Sequence, residues 1–325
     1  LIAAPHDGTF RKARPGREAE PIVPVSLVAK SMGGRLAVHL EAGGRAPEAG
    51  RASRRVVARV DRWAARLTRY ADESDLSVLN ADLRPAVFVR PTLAAALRAG
   101  QFASEASEGL TDVTLLDARL AAELGTDLGM ASRAREWRLS RGRLGSAVLR
   151  RPAGLHFDLG GVGKGWIADR ALEILNSWPS AVIDADGDLA IRCAPGRCWD
   201  VGIDDPRTPD AHLAILRLAA PASGSPVRWG VATSGVSIHR WQADGKVRHH
   251  LIDPRTGSPA ETDVVQATVV AGTSLRAEAL AKAAVIAGTV EGFALLERAR
   301  ALGALLLTDR GETLALPSTL SLLAG

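Results

Sequence analysis

Several things are scarce in this chain of 325 residues. There are two cysteines, Cys193 and Cys198, and no cluster of Cys and His around them, which argues against a structural zinc site. The four residues between them suit a hairpin, so a cross-strand disulfide is one reading. Two free thiols are the other, and they suit a cytoplasmic chain better. Aromatic residues make up 4%, too few for the stacking platforms of a single-strand nucleic-acid groove. Lysine is rarer still: Lys12, Lys30, Lys164, Lys246 and Lys282 are the only five among 41 basic residues. The net charge of +5 therefore comes from arginines dispersed among 36 acidic residues, the pattern of a solvated surface rather than a nucleic-acid partner. No stretch approaches the roughly 20 apolar residues of a membrane helix. Residues 1–30 lack the apolar run of a secretory signal, so a cytoplasmic location is expected. Export or membrane association is the alternative if a leader precedes Leu1.

What is present is ordinary for a globular protein: 46% hydrophobic and 24% charged residues, enough to bury a sizeable core. Leu36, Val38 and Leu40 alternate with polar or small residues, the period of a half-buried strand. Val56, Val60, Trp63, Leu67 and Tyr70 recur at three and four, predicting an amphipathic helix over 52–70 with its arginines outward. A second helix is predicted from Pro91 toward Ser107, and a hairpin over 136–150 turning near Arg141-Gly142. A third helix starts near Gly165. Strands are then predicted over 181–183, 189–193, 199–203, 213–218, 228–233 and 264–270. Helices over 275–288 and 290–300 and a hairpin over 305–316 complete the chain. Runs of strands followed by helices argue for an α+β fold with mainly antiparallel sheets. No repeat or low-complexity linker interrupts it, so residues 31–325 are expected to form one domain of two interlocked lobes behind a lead segment, 1–30.

Three segments carry candidate chemistry. In Phe157-Asp158-Leu159-Gly160-Gly161-Val162-Gly163-Lys164-Gly165-Trp166, four glycines in six positions allow close backbone approach to a ligand, and a helix N-terminus follows. Lys164 is placed to pair with a phosphate there, or the segment is simply a tight strand-to-helix turn. It matches neither a Walker loop nor a dinucleotide fingerprint. In His249-His250-Leu251-Ile252-Asp253-Pro254-Arg255-Thr256-Gly257, two histidines precede a turn sequence and offer a base or a structural pair. Ala232-Thr233-Ser234-Gly235-Val236-Ser237 offers hydroxyls to ligand oxygens, or a polar turn.

In this order the segments resemble the ApbE-type FAD:protein FMN transferases. Asp158 to Gly165, with Trp166 and Asp169, is similar to that family's Asp-Leu-Gly-Gly-x-x-Lys-Gly stretch. Ala232 to Ser237 and His250 to Gly257 are similar to its Ala-Thr-Ser-Gly and His-Ile-Ile-Asp-Pro-Arg-Thr-Gly blocks. Tyr70 with Ser74-Asp75-Leu76-Ser77-Val78-Leu79-Asn80, and Leu110-Thr111-Asp112-Val113-Thr114, resemble two further stretches, and the likeness spans roughly residues 31–290.

The resemblance implies a T-fold-like protein that holds FAD between two lobes and splits its pyrophosphate. FMN passes through its phosphate to a Thr or Ser of an acceptor protein with a Ser/Thr-Gly-Ala-Ser/Thr-type segment, and AMP is released. By the same resemblance Met32, Tyr70, Leu110, Thr111, Asp112, Asp158, Lys164 and Ile252 line the FAD site, and His250 is the base for the acceptor hydroxyl. Magnesium is implied on the Gly161 carbonyl and an Asp and Thr/Ser pair four residues apart.

At that pair this chain has Glu278 and Lys282. The family's Met-Gly-Thr is Met32-Gly33-Gly34, one hydroxyl fewer. Glu is a longer oxygen ligand, and a protonated lysine repels the ion. Three readings follow: Lys282 replaces the metal, a displaced magnesium leaves Lys282 salt-bridged to Glu278 at i,i+4, or metal and transfer are both lost and a flavin-binding protein or different chemistry remains. An ordinary helix-surface salt bridge is the plain reading of the same pair.

Overall fold

The computed structural model describes residues 2–3, 20–21, 24–125, 136–237, 240–243 and 246–324. Its centre is a nine-stranded sheet. The strands run, in spatial order, Ile2–Ala3, Thr313–Ala315, Gly303–Thr308, Val264–Ala271, Val227–Gly235, Asp188–Cys193, Ala181–Ala185, Gly34–Leu40 and Val25–Ser31. Every neighbouring pair is antiparallel. The α+β class and antiparallel sheets expected from the sequence are therefore present.

Two hairpins of this sheet turn in two residues with positive φ, Met32-Gly33 (56° and 79°) and Asp186-Gly187 (56° and 91°). Such turns match the right-handed twist of the strands they join. The two turns touch: a Cβ on Gly34 would stand 2.5 Å from the Asp186 carboxyl carbon. Asp186 thus occupies the space that a side chain at position 34 would take, and its Oδ1 accepts the Arg35 N–H at 3.2 Å.

One face of the sheet is covered by helices. Helix α1 (Ala46–Leu67) buries Ala49, Ala52, Val56, Val60 and Leu67 and turns its arginines out, as its periodicity predicts. It starts six residues earlier than expected because Pro47 occupies the first turn, where its missing N–H costs nothing. It also stops sooner. Thr68 is extended and its carbonyl accepts the Ser74 hydroxyl at 2.5 Å, so Tyr70 leaves the apolar stripe and is 78% exposed.

Helices α2 (Asp75–Ala81), α3 (Pro91–Ala106), α4 (Leu116–Glu123), α5 (Gly163–Ile174) and α6 (Ser274–Arg298) follow. In α6 the backbone breaks at Gly288 (φ 76°), where Asp263 Oδ1 accepts the Thr289 N–H at 2.8 Å, so it is two helices, as expected. The second packs back on the first, with Gly292 against Ala284 and the Arg276 guanidinium on the Ala299 carbonyl at 2.7 Å. It is the one described helix long and apolar enough to cross a membrane, and 67% of its most apolar window is buried against the protein. Its alanines at 277, 279, 281, 283 and 284 let it lie close on the strands.

The other face packs against the antiparallel pair Arg197–Asp204 and His212–Ala219, with Trp199, Ile203, Leu216 and Leu218 inward. Cys193 and Cys198 are both buried free thiols, which decides between the two readings of that pair. Burial pushes the Cys193 thiol up to about 11, so it is an inert core group. The expected hairpin over 136–150 is Arg138–Arg141 against Ala147–Arg150, extended by Ala86–Val89 into a three-stranded sheet.

Candidate active site

The glycine-rich segment is pinned before it turns. The Asn80 side chain accepts the Phe157 N–H at 2.8 Å and donates to the Phe157 carbonyl at 2.9 Å, and the Asp158 N–H donates to the Val113 carbonyl at 2.8 Å. Asp158 Oδ1 then accepts the Gly160 N–H at 2.9 Å, and α5 opens at Gly163. Gly161 and Gly165 serve close approach here, since neither has positive φ. A Cβ on Gly161 would stand 2.6 Å from Lys282 Nζ. One on Gly165 would stand 2.8 Å from Glu278 Oε2, the Leu275 nitrogen and the Ser274 carbonyl oxygen. These glycines let the start of α5 and the first turns of α6 meet without a gap.

Across that contact, the Asp169 carboxylate accepts the Ser274 and Leu275 N–H groups, both at 3.0 Å, and supplies negative charge to the N-terminus of α6. Glu278, 5% exposed, lies one turn on, and its Oε2 accepts the Gly165 N–H at 2.9 Å. Burial, reinforced by the charge of Asp188, pushes its carboxyl up to about 8 against the pull of Lys164 and Lys282.

Lys282 follows at i,i+4 but makes no ion pair with Glu278; no carboxylate among the described residues comes within 4 Å of it. Its ammonium lies against Gly161 instead. Desolvation draws its pKa down, while the charges of Asp158, Glu278 and Asp112 hold it up and Arg119 opposes them.

Lys164, the residue expected at a phosphate, is placed differently. Its Nζ pairs with Asp188 Oδ2 at 3.0 Å and donates to the Asp186 carbonyl at 3.2 Å. Burial works against its charge, but Asp188, Glu278 and Asp186 outweigh it and raise its pKa.

Of the other residues expected in the site, Thr111 bonds α6 and Leu110 shares its apolar cluster, while Ile252, Tyr70 and Met32 make contacts elsewhere. Thr111 Oγ1 donates to the Ala279 carbonyl at 2.9 Å, tying the 110–114 segment to α6 between Glu278 and Lys282. Leu110 packs in one cluster with Leu251 and Leu280, and Ile252 packs with Leu115 and Ala122. Asp112 accepts the Thr114 N–H at 2.8 Å and its hydroxyl at 2.7 Å. Tyr70 lies 4.4 Å beneath the Arg69 guanidinium, at the end of an ion-pair chain Arg69–Glu123–Arg119–Asp158. Met32 stands on the hairpin turn beside Asp186.

Of the two histidines, His249 uses both ring nitrogens on backbone: Nδ1 accepts the Leu251 N–H at 3.3 Å and Nε2 donates to the Ala260 carbonyl at 3.0 Å. His250, the residue expected as the base, is half-buried beside it. In the turn that follows, Asp253 is held by three bonds from the Arg255 side chain, between 2.8 and 3.1 Å. Thr233 of the Ala-Thr-Ser-Gly segment bonds Thr268 on the next strand at 2.8 Å, a cross-strand contact.

Sequence reasoning missed Arg119, Asp188 and the His156–Asp117 pair, whose Nδ1 and Oδ1 are 2.6 Å apart. Arg119 is one arginine of 36 and carried no signal. Asp188 stood in an Asp-Gly-Asp turn, where an isolated lysine nearby in space was not visible.

The family model described as ApbE family matches residues 32–306. A FAD:protein FMN transferase of Treponema pallidum is 34% identical over 156 residues, 44% of this chain and 41% of that protein. Another, of Salmonella typhimurium, is 30% identical over 162 residues, 49% of this chain and 44% of that protein. The matched segment thus spans less than half the length of these curated relatives. Among solved structures, the apo form of flavinyl transferase ApbE from Pseudomonas stutzeri superposes with a TM-score of 0.75 at 23% identity, over 93% of this chain and 98% of that one. The ApbE protein of Thermotoga maritima gives 0.73 at 22%, over 91% and 98%. These structural likenesses establish a shared fold.

Proposed function

The chain belongs to the ApbE family, and from that footing we propose that it is an FAD:protein FMN transferase, the activity for which its curated relatives are named. The observation that carries the reading is the meeting of α5 and α6. There a glycine-rich turn, a helix N-terminus and an ammonium without a carboxylate partner face one another. The N–H groups of Gly163, Gly165 and Trp166 are engaged by Leu159, Glu278 and Val162, so it is the cation beside the glycine-rich turn that offers an anion its point charge. Segment 110–114 is tied to α6 beside it by the Thr111 hydroxyl, and Leu110 and Leu251 share an apolar cluster with Leu280 of α6.

In the proposed reaction a Thr or Ser hydroxyl of the acceptor, in a Ser/Thr-Gly-Ala-Ser/Thr-type segment, attacks the FMN-side phosphorus of FAD. The bond from that phosphorus to the bridging oxygen breaks, AMP leaves with the bridging oxygen, and the hydroxyl proton passes to His250. Catalysis of this kind is positioning plus neutralisation of the phosphoryl charge.

The family resemblance also implies magnesium on the Gly161 carbonyl and Glu278, but the donor set does not fit it. Glu278 Oε2 is engaged by the Gly165 N–H, and the Lys282 ammonium lies against Gly161. Among the described residues no three His, Cys, Asp or Glu side chains are placed to hold a metal. Magnesium demands near-octahedral oxygen ligands and does not tolerate an ammonium in the shell, so no step is routed through it.

The test is to incubate the protein with FAD and a domain bearing the acceptor segment, then to measure acceptor mass and free AMP. Covalent FMN with equimolar AMP is expected. FAD binding without AMP, across several acceptors, would leave a flavin-binding protein of the same fold.

A further inference from the structure

We propose that Lys282 is a built-in cation that takes the place of a divalent ion, so that this chain binds the pyrophosphate of its substrate without metal. The identity of the dinucleotide rests on the function proposed above; the charge argument does not.

A lysine on a buried helix normally finds a carboxylate or reaches water with its head. Glu278 stands at the favourable i,i+4 spacing for a pair, yet its Oε2 is bonded to the Gly165 N–H and the pair is not made. Asp158 is the leading negative charge acting on Lys282, but that carboxylate is engaged by Arg119 at 2.9 Å and by the Gly160 N–H at 2.9 Å. Each carboxylate near Lys282 thus has a partner of its own, and the ammonium is left against the backbone of Gly161.

Position 161 accommodates it only because it is glycine: Nζ, Cδ and Cε of Lys282 would lie 2.6, 3.0 and 3.3 Å from a Cβ there. The lysine and the glycine are therefore matched. The charge lies beside the turn whose next residues, Gly163 onward, open α5. A ligand anion beside that turn meets one fixed point charge, which is how lysine serves phosphate elsewhere. The N–H groups of Gly163, Gly165 and Trp166 are already engaged by Leu159, Glu278 and Val162. An ordinary surface salt bridge would show the opposite: a paired, exposed lysine and an indifferent residue at 161.

Calorimetric titration of the full chain with inorganic pyrophosphate and with FAD, each in EDTA and in excess magnesium, separates the possibilities. Wild type is expected to bind both ligands in EDTA, within about threefold of its affinity in magnesium. Lys282→Met should weaken both in EDTA by roughly 10- to 100-fold, the range for losing a charged hydrogen bond, and Lys282→Arg should retain most of the affinity. The double variant Glu278→Asp with Lys282→Thr should regain at least about tenfold on adding magnesium. FAD binding that requires magnesium in the wild type would overturn the inference and leave the transferase reading intact. Pyrophosphate binding in EDTA that depends on Lys282, with no FAD binding, would do the reverse. Equal binding by Lys282→Met, or no binding of either ligand in EDTA, overturns it. The wild-type EDTA arm decides even if a variant fails to fold.

Discussion

Two lysines stand on either side of one glycine-rich turn, and they are used in opposite ways. Lys164, in the first turn of α5, is tied to Asp188 at 3.0 Å and to the Asp186 carbonyl at 3.2 Å. Lys282, across the helix contact, has no carboxylate within reach among the described residues and lies against bare backbone. In sequence Lys164 looks like the phosphate ligand and Lys282 like an anomaly. In space Lys164 fastens α5 to the hairpin turn at 186–187, and Lys282 is the one that makes no ion pair among the described residues. A cation's value to a ligand is set by what already neutralises it, and that is a property of the fold rather than of the motif.

The largest effect expected from breaking this contrast is on stability. Asp188 is 1% exposed, and Asp188→Ala removes the carboxylate that holds Lys164. Breaking a buried pair costs about 3–5 kcal/mol. Lys164 keeps 35% of its side chain in contact with solvent, which absorbs part of that, so about 2 kcal/mol is expected in urea unfolding. A variant as stable as wild type would mean that Lys164 is not structural and that the two lysines are interchangeable.

Arg119→Met tests the other side. It frees Asp158 from its 2.9 Å pair, and Asp158 is the carboxylate whose charge acts most on Lys282. The released carboxylate should capture the ammonium and weaken pyrophosphate binding by roughly threefold to tenfold, about 1 kcal/mol. Unchanged affinity would show that Arg119 does not keep Lys282 available. Lys282→Met itself should leave unfolding stability within about 1 kcal/mol of wild type, or raise it, because a partly buried ammonium that makes no ion pair among the described residues is replaced by a chain of similar length. A loss well beyond that would make the charge part of the scaffold.

How far the sequence carries depends on the range of the contacts. The period of α1, the strand alternation over 36–40 and the break between two C-terminal helices are local patterns, and each has its counterpart, the last in the positive φ of Gly288. Boundaries slipped where a remote or capping group decides them. Tyr70 left its helix because Ser74 bonds the Thr68 carbonyl, a contact no apolar period records. Within the site, the chemistry-bearing segments were legible as motifs, and so was the oddity of Glu278 and Lys282. Their connections were not. Asn80 reaches Phe157 across 77 residues, Thr111 reaches Ala279 across 168, and Gly165 reaches Glu278 across 113. The missing hydroxyl at Gly34 read as a loss, whereas Asp186 occupies the space that a side chain there would take.

The finest probe of the comparison is Gly161→Ala, alone and with Lys282→Met. Gly161 has no positive φ, so alanine brings no backbone strain, and the atom its methyl would strike first is Nζ, the far end of a flexible chain. The lysine can swing away, and stability should change by less than about 0.5 kcal/mol. The ammonium, however, leaves the turn, and pyrophosphate affinity should fall by roughly threefold to fivefold, about 0.7–1 kcal/mol. If Lys282 acts where it stands, the methyl has nothing to displace once the lysine is gone. Adding Gly161→Ala to Lys282→Met should then cost nothing more, and the coupling in the double-mutant cycle should equal the whole single-variant effect. Additive losses would mean that the methyl blocks the ligand directly, and that the close match between Gly161 and Lys282 is packing without consequence for binding.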